Sequence, residues 1–131
     1  MLRERGHRIT RPRRLVVGVL GQQDQPLSPY DIHDLLAERN EKIDTVTIYR
    51  ILDRLEAYGL AHRLAHTGGF LRCRLQEHDA CHHHVICRDC GAIEEIHCPG
   101  MTAVERAAAS ESHFRIDSHY VEFLGLCAAC K

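Results

Sequence analysis

Two pairs of cysteines constrain what this chain can fold into more than any other feature of the sequence. Cys87 and Cys90 are separated by two residues, and so are Cys127 and Cys130. This spacing lets both sulfurs of a pair reach one ion, and four thiolates suit a tetrahedral structural zinc. The pattern therefore predicts that the four cysteines bind Zn²⁺ together. A redox dithiol of the thioredoxin kind is the alternative, but two pairs in one small domain argue against it.

The segment between the cysteine pairs is 36 residues long, which exceeds the usual spacing in a zinc ribbon. We therefore expect a folded insert between the two pairs. Its local patterns predict a strand over 92–97, a helix from Pro99 to about Ser110 and a strand over 113–126.

Three consecutive histidines, His82, His83 and His84, lie just before the first cysteine pair. If they begin a strand that runs to Cys87, His82 and His84 point to one face and His83 to the other. A run of three beside a cysteine pair favours metal ligands over ordinary surface residues, and Glu95 on the next strand offers a carboxylate. Such ligand sets suit zinc, iron, nickel and other divalent ions, so the histidines do not identify the metal.

Cysteine usage also predicts the compartment. The chain has seven cysteines, an odd number that argues against a scaffold of disulfides, and its first residues lead into arginines instead of an apolar signal segment. No stretch approaches the roughly 20 apolar residues that a membrane span needs. We therefore expect a cytoplasmic protein with metal-binding thiols.

Charge is distributed unevenly along the 131 residues. Residues 1–75 carry 13 lysines and arginines against 9 acids, a net charge of +4, whereas residues 76–131 carry 4 against 9, a net charge of −5. Six of the seven cysteines and seven of the eleven histidines lie in the second part. The pattern predicts a basic N-terminal domain over 1–75 and an acidic, metal-binding domain over 76–131.

The N-terminal part has the signals of three short helices followed by a hairpin. Helix starts are indicated at Thr10, at Ser28 and at Asp44 or Thr45, and Gly59 occupies a position typical of a helix C-terminus. Beyond Gly59 the hydrophobic period approaches two. The predicted strands are 60–64 and 70–75. This order predicts a winged helix-turn-helix, in which the third helix enters the major groove of DNA.

Residues that can contact DNA lie opposite the apolar stripe of the third helix, near the N-terminal end of that helix and in the basic N-terminal arm. Their side chains are of types that reach base edges and phosphates. The candidates are Arg11, Arg13, Thr45, Thr47, Tyr49, Arg50 and Arg54. An ordinary solvated helix face, or a module for protein–protein contacts, is the alternative interpretation.

Over almost its whole length the chain resembles the ferric uptake regulator (Fur) superfamily of bacterial metal-responsive repressors. The matching stretches are GHRITRPR (6–13), TVTIYR (45–50), HHHVICRDCG (82–91) and GLCAAC (125–130). The resemblance implies an α+β protein with an N-terminal winged helix, a C-terminal α/β dimerisation domain and a cysteine-bound structural zinc. It also implies a homodimer that binds operator DNA when a regulatory metal is present, and places Tyr49 and Arg50 at positions of DNA contact.

By the same resemblance, the regulatory metal has ligands from the region of the wing and from the dimerisation domain. The matching positions are His62, Cys73, His82, His84 and Glu95. Iron-sensing members typically have a glutamate where Cys73 falls, and a thiolate there is the pattern of the zinc uptake regulator (Zur) branch. A soft thiolate with imidazoles also favours zinc on chemical grounds. If Cys73 is instead an ordinary strand residue, iron sensing is the second hypothesis.

Several members of the superfamily have a further metal site, built from the middle histidine of the triplet, a helical glutamate and a later histidine. His83 and His119 match it, but Thr102 falls where the glutamate is expected, and Cys81 replaces the usual leading histidine. Glu105, one turn later, is the candidate substitute for that third site. The sequence suggests no functional role for Cys81 or Cys98.

We therefore expect a zinc-responsive repressor of zinc homeostasis genes. Its expected partners are double-stranded operator DNA and a second copy of the chain, without a membrane or a small-molecule substrate. A zinc enzyme is the rival from another class, but no H-E-x-x-H or comparable catalytic motif is present. A peroxide sensor of the same superfamily would need an oxygen and nitrogen site for iron, which Cys73 opposes.

Overall fold

The structure is a computed structural model that describes residues 10–73, 82–97, 100–117 and 119–131, without the side chain of His82. It divides into two compact units between Cys73 and Arg74. The first unit contains α1 (Arg11–Gln22), α2 (Pro29–Glu38), α3 (Thr45–Ala57), β1 (Ala61–Arg63) and β2 (Phe70–Arg72). The second contains β3 (His82–Cys87), β4 (Ile93–His97), α4 (Met101–Ser112) and β5 (Glu122–Gly125).

Local capping starts each helix of the first unit where the sequence predicts. The Thr10 and Asp44 side chains accept hydrogen bonds from the third residue of α1 and of α3. Ser28 and Asp31 form a reciprocal capping box, with N–H to oxygen distances of 2.9 and 3.1 Å. These bonds satisfy backbone donors that a helix N-terminus would otherwise leave without a partner.

The core of the first unit lies between the three helices and the hairpin. Apolar side chains recur at helical spacing, so each helix presents one buried face. The buried residues of the three helices are Val16, Val19, Leu20, Ile32, Leu36, Ile48, Ile51, Leu52 and Leu55. Phe70 on β2 packs into the same cluster, and its backbone pairs with Leu27 through two hydrogen bonds. The hairpin is thereby attached to the segment between α1 and α2.

The hairpin pairs β1 with β2 in an antiparallel register, with Arg63 opposite Phe70 and Ala61 opposite Arg72. Gly69 is required for close packing at its turn, because a Cβ atom there would lie 2.8 Å from Pro26 Cβ. The winged helix-turn-helix predicted for this part of the chain is present.

The second unit is a three-stranded sheet in the order β4–β3–β5, antiparallel between β3 and β4 and parallel between β3 and β5. The prediction of a strand over 113–126 was wrong in length, because only Glu122–Gly125 pair with β3. His113 instead ends α4 in a left-handed conformation with φ 61°. Helix α4 begins at Met101, two residues later than predicted, and Pro99 lies outside the described residues.

Candidate metal and nucleic-acid sites

The four cysteines come together at one end of the sheet in the second unit. Strand β3 ends at Cys87, opposite Gly125 at the end of the parallel strand β5, so the turns that follow both strands are adjacent. The four Sγ atoms all lie within 4.8 Å of one another. Four sulfur donors at this separation fit a tetrahedral zinc ion, the metal that this donor set favours.

Backbone N–H groups lower the pKa of one of these thiols, that of Cys87, which favours the thiolate form that binds a metal. Cys87 Sγ accepts hydrogen bonds from the backbone of Cys90 at 3.5 Å and of Cys127 at 3.4 Å, and these donors lower the pKa of Cys87 to about 6. In contrast, hydrogen bonding with the neighbouring sulfurs of Cys127, Cys87 and Cys90 raises the pKa of Cys130 to about 12. The Cys87 thiol therefore loses its proton more readily than the Cys130 thiol, and a metal that binds both sulfurs would release the proton of Cys130.

The hairpin of the first unit carries two of the residues predicted as regulatory ligands. His62 is on β1, and Cys73 directly follows β2, where its backbone N–H donates to Leu60 O at 2.8 Å. A ring nitrogen of His62 and the Cys73 Sγ lie within 4.8 Å of each other. The hairpin thus brings an imidazole and a thiol close enough to bind the same ion.

The second unit carries the other predicted regulatory ligands. His84 on β3 is paired with Glu95 on β4, so their side chains lie on the same face of the sheet. His84 is buried and Glu95 is half-buried. His82 is paired with His97 at the start of β3, and its side chain lies outside the described part of the structure.

The residues predicted for a third site are joined in a chain of contacts. His83, which is fully buried, lies with its Nε2 atom 2.9 Å from Nε2 of His119. The opposite ring nitrogen of His119, Nδ1, contacts a carboxylate oxygen of Glu105 on α4. Since Glu105 and His83 use opposite sides of the His119 ring, the three donors do not converge on one point. Thr102 is exposed, whereas Cys81 and Cys98 lie outside the described residues.

Most of the predicted DNA-contacting residues line two clefts on the outer face of α3. The first cleft, of about 500 Å³, is bordered by four of them, Arg13, Thr47, Arg50 and Arg54. The second, of about 380 Å³, is bordered by Thr45, Tyr49 and again Arg50. Arg11 lies elsewhere, and its guanidinium donates to Glu41 at 2.5 Å, so its charge is already paired within the protein.

Two residues that the sequence did not single out also border the second cleft. Tyr30 near the start of α2 is 71% exposed, and Val46 on α3 is 57% exposed. Both side chains are turned away from the core, beside Tyr49 and Arg50. The position of Val46 between two predicted contacts, Thr45 and Thr47, is the signal that could have identified it.

Comparison with known proteins agrees with this arrangement. Residues 4–124, nearly the whole chain, match the profile of the family described as the ferric uptake regulator family. The chain belongs to this family. As a ferric uptake regulator family member it is a metal-responsive DNA-binding repressor, and the family consists of transcription regulators and not of enzymes.

Individual members of the ferric uptake regulator family are similar over almost the entire chain. The ferric uptake regulation protein of Legionella pneumophila is 31% identical over 99% of this chain and 96% of its own length. The zinc uptake regulation protein of Escherichia coli K12 is 32% identical over 97% of this chain and 75% of its own length. A zinc uptake regulator solved in complex with zinc and DNA has a TM-score of 0.83, with 32% identity, over 96% of this chain and 85% of that one.

Helices long and apolar enough to cross a membrane are absent from the described residues of this family member.

Proposed function

We propose that this protein is a zinc-responsive repressor that binds operator DNA as a homodimer. The observation that carries the proposal is the proximity of a His62 ring nitrogen and the Cys73 Sγ on the wing hairpin, within 4.8 Å of each other. A soft sulfur beside an imidazole favours zinc, whereas iron and manganese prefer sites richer in oxygen. The zinc uptake regulation protein of Escherichia coli, at 32% identity, supports the same choice of metal.

In this proposal the regulatory zinc is bound by residues from both units. His62 and Cys73 act from the wing, and His82, His84 and Glu95 act from the sheet of the second unit. Ligands from two units would restrict the angle between them. Zinc would thus change DNA affinity through the placement of α3, with a coupling of about 1–3 kcal/mol, which is roughly 5–150-fold in affinity.

The four-cysteine zinc has a separate, structural role in the proposal. It would connect the ends of β3 and β5 and so stabilise the sheet from which dimerisation proceeds. Large hydrophobic side chains are exposed on this unit, and burial of these side chains against a second copy of the chain would favour dimerisation. They are Val85, Phe114, Tyr120, Phe123, Leu124 and Leu126.

The contacts of α3 would supply operator recognition. Arg50 borders both clefts on the outer face of this helix, next to Tyr49 on one side and Arg54 on the other. Arginine reads guanine in the major groove, and the neighbouring threonines and tyrosine suit base edges and phosphates.

An iron-responsive repressor is the second candidate function. The similarity to the ferric uptake regulation protein of Legionella pneumophila, at 31% identity over 99% of this chain, favours it. The two candidates differ in which metal induces DNA binding.

The deciding experiment begins with selection of duplexes from a random DNA library, by the zinc-loaded protein and, in parallel without oxygen, by the iron-loaded protein. Affinity for the selected duplex is then titrated against buffered free zinc and, without oxygen, against buffered ferrous iron. The proposal predicts that zinc increases affinity at a far lower free concentration than iron does. A response to ferrous iron alone would establish the second candidate, and no response to either metal would contradict both.

A further inference from the structure

Arg63 links the wing hairpin to the recognition helix α3. Its guanidinium carbon lies 5.4 Å from the centroid of the Tyr49 ring and 4.9 Å from the centroid of the Phe70 ring. The two rings meet edge to face, with centroids 6.4 Å apart and planes at 85°. Both distances from Arg63 are within the range of cation–π attraction. Tyr49 is therefore held from the wing side by a planar cation and an aromatic ring.

Two acids on α3 fix the position of Arg63. Its Nη2 atom donates to Asp53 Oδ1 at 2.8 Å, and its backbone N–H donates to Glu56 Oε2 at 3.1 Å. The Arg63 Nε atom lies 3.8 Å from the same Glu56 oxygen. The charge of Arg63 is thus compensated within the protein, and its contacts connect the hairpin to α3.

The opposite face of the same hairpin carries the two residues proposed to bind the regulatory zinc. Successive side chains of a strand point to opposite faces, so His62 and Arg63 diverge. Arg63 is paired with Phe70, and His62 is paired with Leu71, two residues before Cys73. His62 and Cys73 consequently share one face, while Arg63 and Phe70 share the other.

We propose that Arg63 is a positioning residue that couples zinc binding at His62 and Cys73 to the placement of Tyr49 on α3. This inference rests on the proposed function and names the residue through which it operates. His62 and Arg63 are neighbours on β1, a strand of three residues, and in this proposal a metal that reorients His62 also displaces Arg63. Arg63 transmits that movement to the Tyr49 ring through the contact between them.

The test is Arg63→Met, which keeps an unbranched side chain but removes the cation and its hydrogen bonds. Arg72→Met is the matched control, because it removes an equal charge from an exposed position on the other strand of the hairpin. Operator affinity is measured with and without zinc, together with zinc affinity and the salt dependence of DNA binding. We expect Arg63→Met to bind zinc as the parent does, while the factor by which zinc raises operator affinity falls about fivefold or more. Arg72→Met should retain the factor of the parent.

Two further readouts separate coupling from other roles of Arg63. A plot of log operator affinity against log salt concentration has a negative slope. The magnitude of this slope should be unchanged in Arg63→Met, since loss of one phosphate contact would reduce it by about 0.9. Arg63→Lys should restore part of the zinc response, because a lysine keeps the cation over the ring without the planar fork.

Any of four outcomes would overturn the inference. A zinc response in Arg63→Met equal to that of the parent would exclude coupling through this residue. A slope reduced by about 0.9 would assign Arg63 to a phosphate instead. If the parent itself shows no zinc response, the proposed function fails and this inference fails with it. If Arg63→Met does not fold, Arg63→Gln decides, because it also removes the cation: a reduced zinc response supports coupling, and a response equal to that of the parent overturns it.

Discussion

The Nε2 atom of His83 lies 2.9 Å from the Nε2 atom of His119, in the interior of the second unit. His83 is on β3, and His119 precedes β5, which runs parallel to β3. The contact of Glu105 with the other nitrogen of His119 attaches α4 to the same pair. One chain of polar contacts thus connects a helix, a strand and the segment that leads into the next strand.

The first prediction is that this chain of contacts stabilises the fold without binding a metal, because its donors do not converge. We expect His119→Ala to lower the free energy of unfolding by about 1–3 kcal/mol, because the Nε2 atom of the buried His83 loses this hydrogen bond. Its zinc content should equal that of the parent. Chemical denaturation and metal analysis of the purified protein test both statements. His97→Ala, at an exposed position on β4, is the control, and loss of a zinc ion in His119→Ala alone would identify a third metal site.

The second prediction concerns the four-cysteine site. Cys90→Ser or Cys127→Ser should produce a protein that melts at a much lower temperature and is largely monomeric, because a bound structural zinc contributes free energy to the folded state of this unit. Thermal melting and sedimentation measure the effect, with Cys73→Ser in the other unit as the control. A stable dimer with the melting temperature of the parent would exclude a structural role.

The third prediction follows from the backbone donors to Cys87, which lower its pKa to about 6 from an ordinary value of 9.0. The folded, zinc-free unit therefore binds fewer protons at this site than the unfolded chain between these two values. Its stability should rise with pH from about 6 to about 9, and the contribution is lost as pH falls through 6. The ultraviolet absorbance of thiolates in zinc-free protein should titrate with a midpoint near pH 6. That step should be missing in Cys87→Ser and retained in Cys73→Ser.

The fourth prediction concerns the outer face of α3. Arg50→Ala should weaken specific DNA binding by about 1–3 kcal/mol if the arginine reads a base, and less if it only contacts a phosphate. The double variant Tyr49→Ala, Arg50→Ala should keep its zinc content and fold. Electrophoretic mobility shifts with the selected operator measure the affinity, and Arg106→Ala on α4 controls for loss of charge. An unchanged operator affinity in the double variant would refute recognition by this helix.

The fifth prediction separates zinc from iron. Cys73→Ser should remain a dimer with its four-cysteine zinc but lose zinc-activated DNA binding, and His62→Ala should act in the same direction. Cys73→Glu should shift the preference towards ferrous iron or manganese, because an oxygen replaces the soft sulfur. Operator affinity against buffered free metal is the measurement. A zinc response in Cys73→Ser equal to that of the parent would show that Cys73 is not a ligand.

Features that depend on neighbouring residues along the chain were predictable from the sequence. The capping residues Thr10, Ser28 and Asp44 marked the starts of three helices, because a side-chain oxygen there satisfies a backbone N–H two or three residues later. The two C-x-x-C pairs likewise identified the sulfur cluster, since their spacing is a property of the local backbone. The ligand roles of His62, Cys73, His82, His84 and Glu95 stay predictions.

The tertiary structure alone decided where these local pieces meet. The periodicity of 113–126 could not give the length of β5, because a strand extends only as far as its hydrogen-bonding neighbour, here His84–Cys87. Nor does any sequence spacing relate Arg63 to Tyr49, which are brought together by the packing of the hairpin against α3. The sequence by itself determined the helices, the wing and the metal-binding residue types. Folding in three dimensions brought His83 to His119 and placed Glu105 at the opposite nitrogen of the His119 ring. It also placed Arg63 and Phe70, on one face of the hairpin, against Tyr49. Long-range contacts depend on strand pairing and packing between distant segments, and these are not encoded in any local pattern.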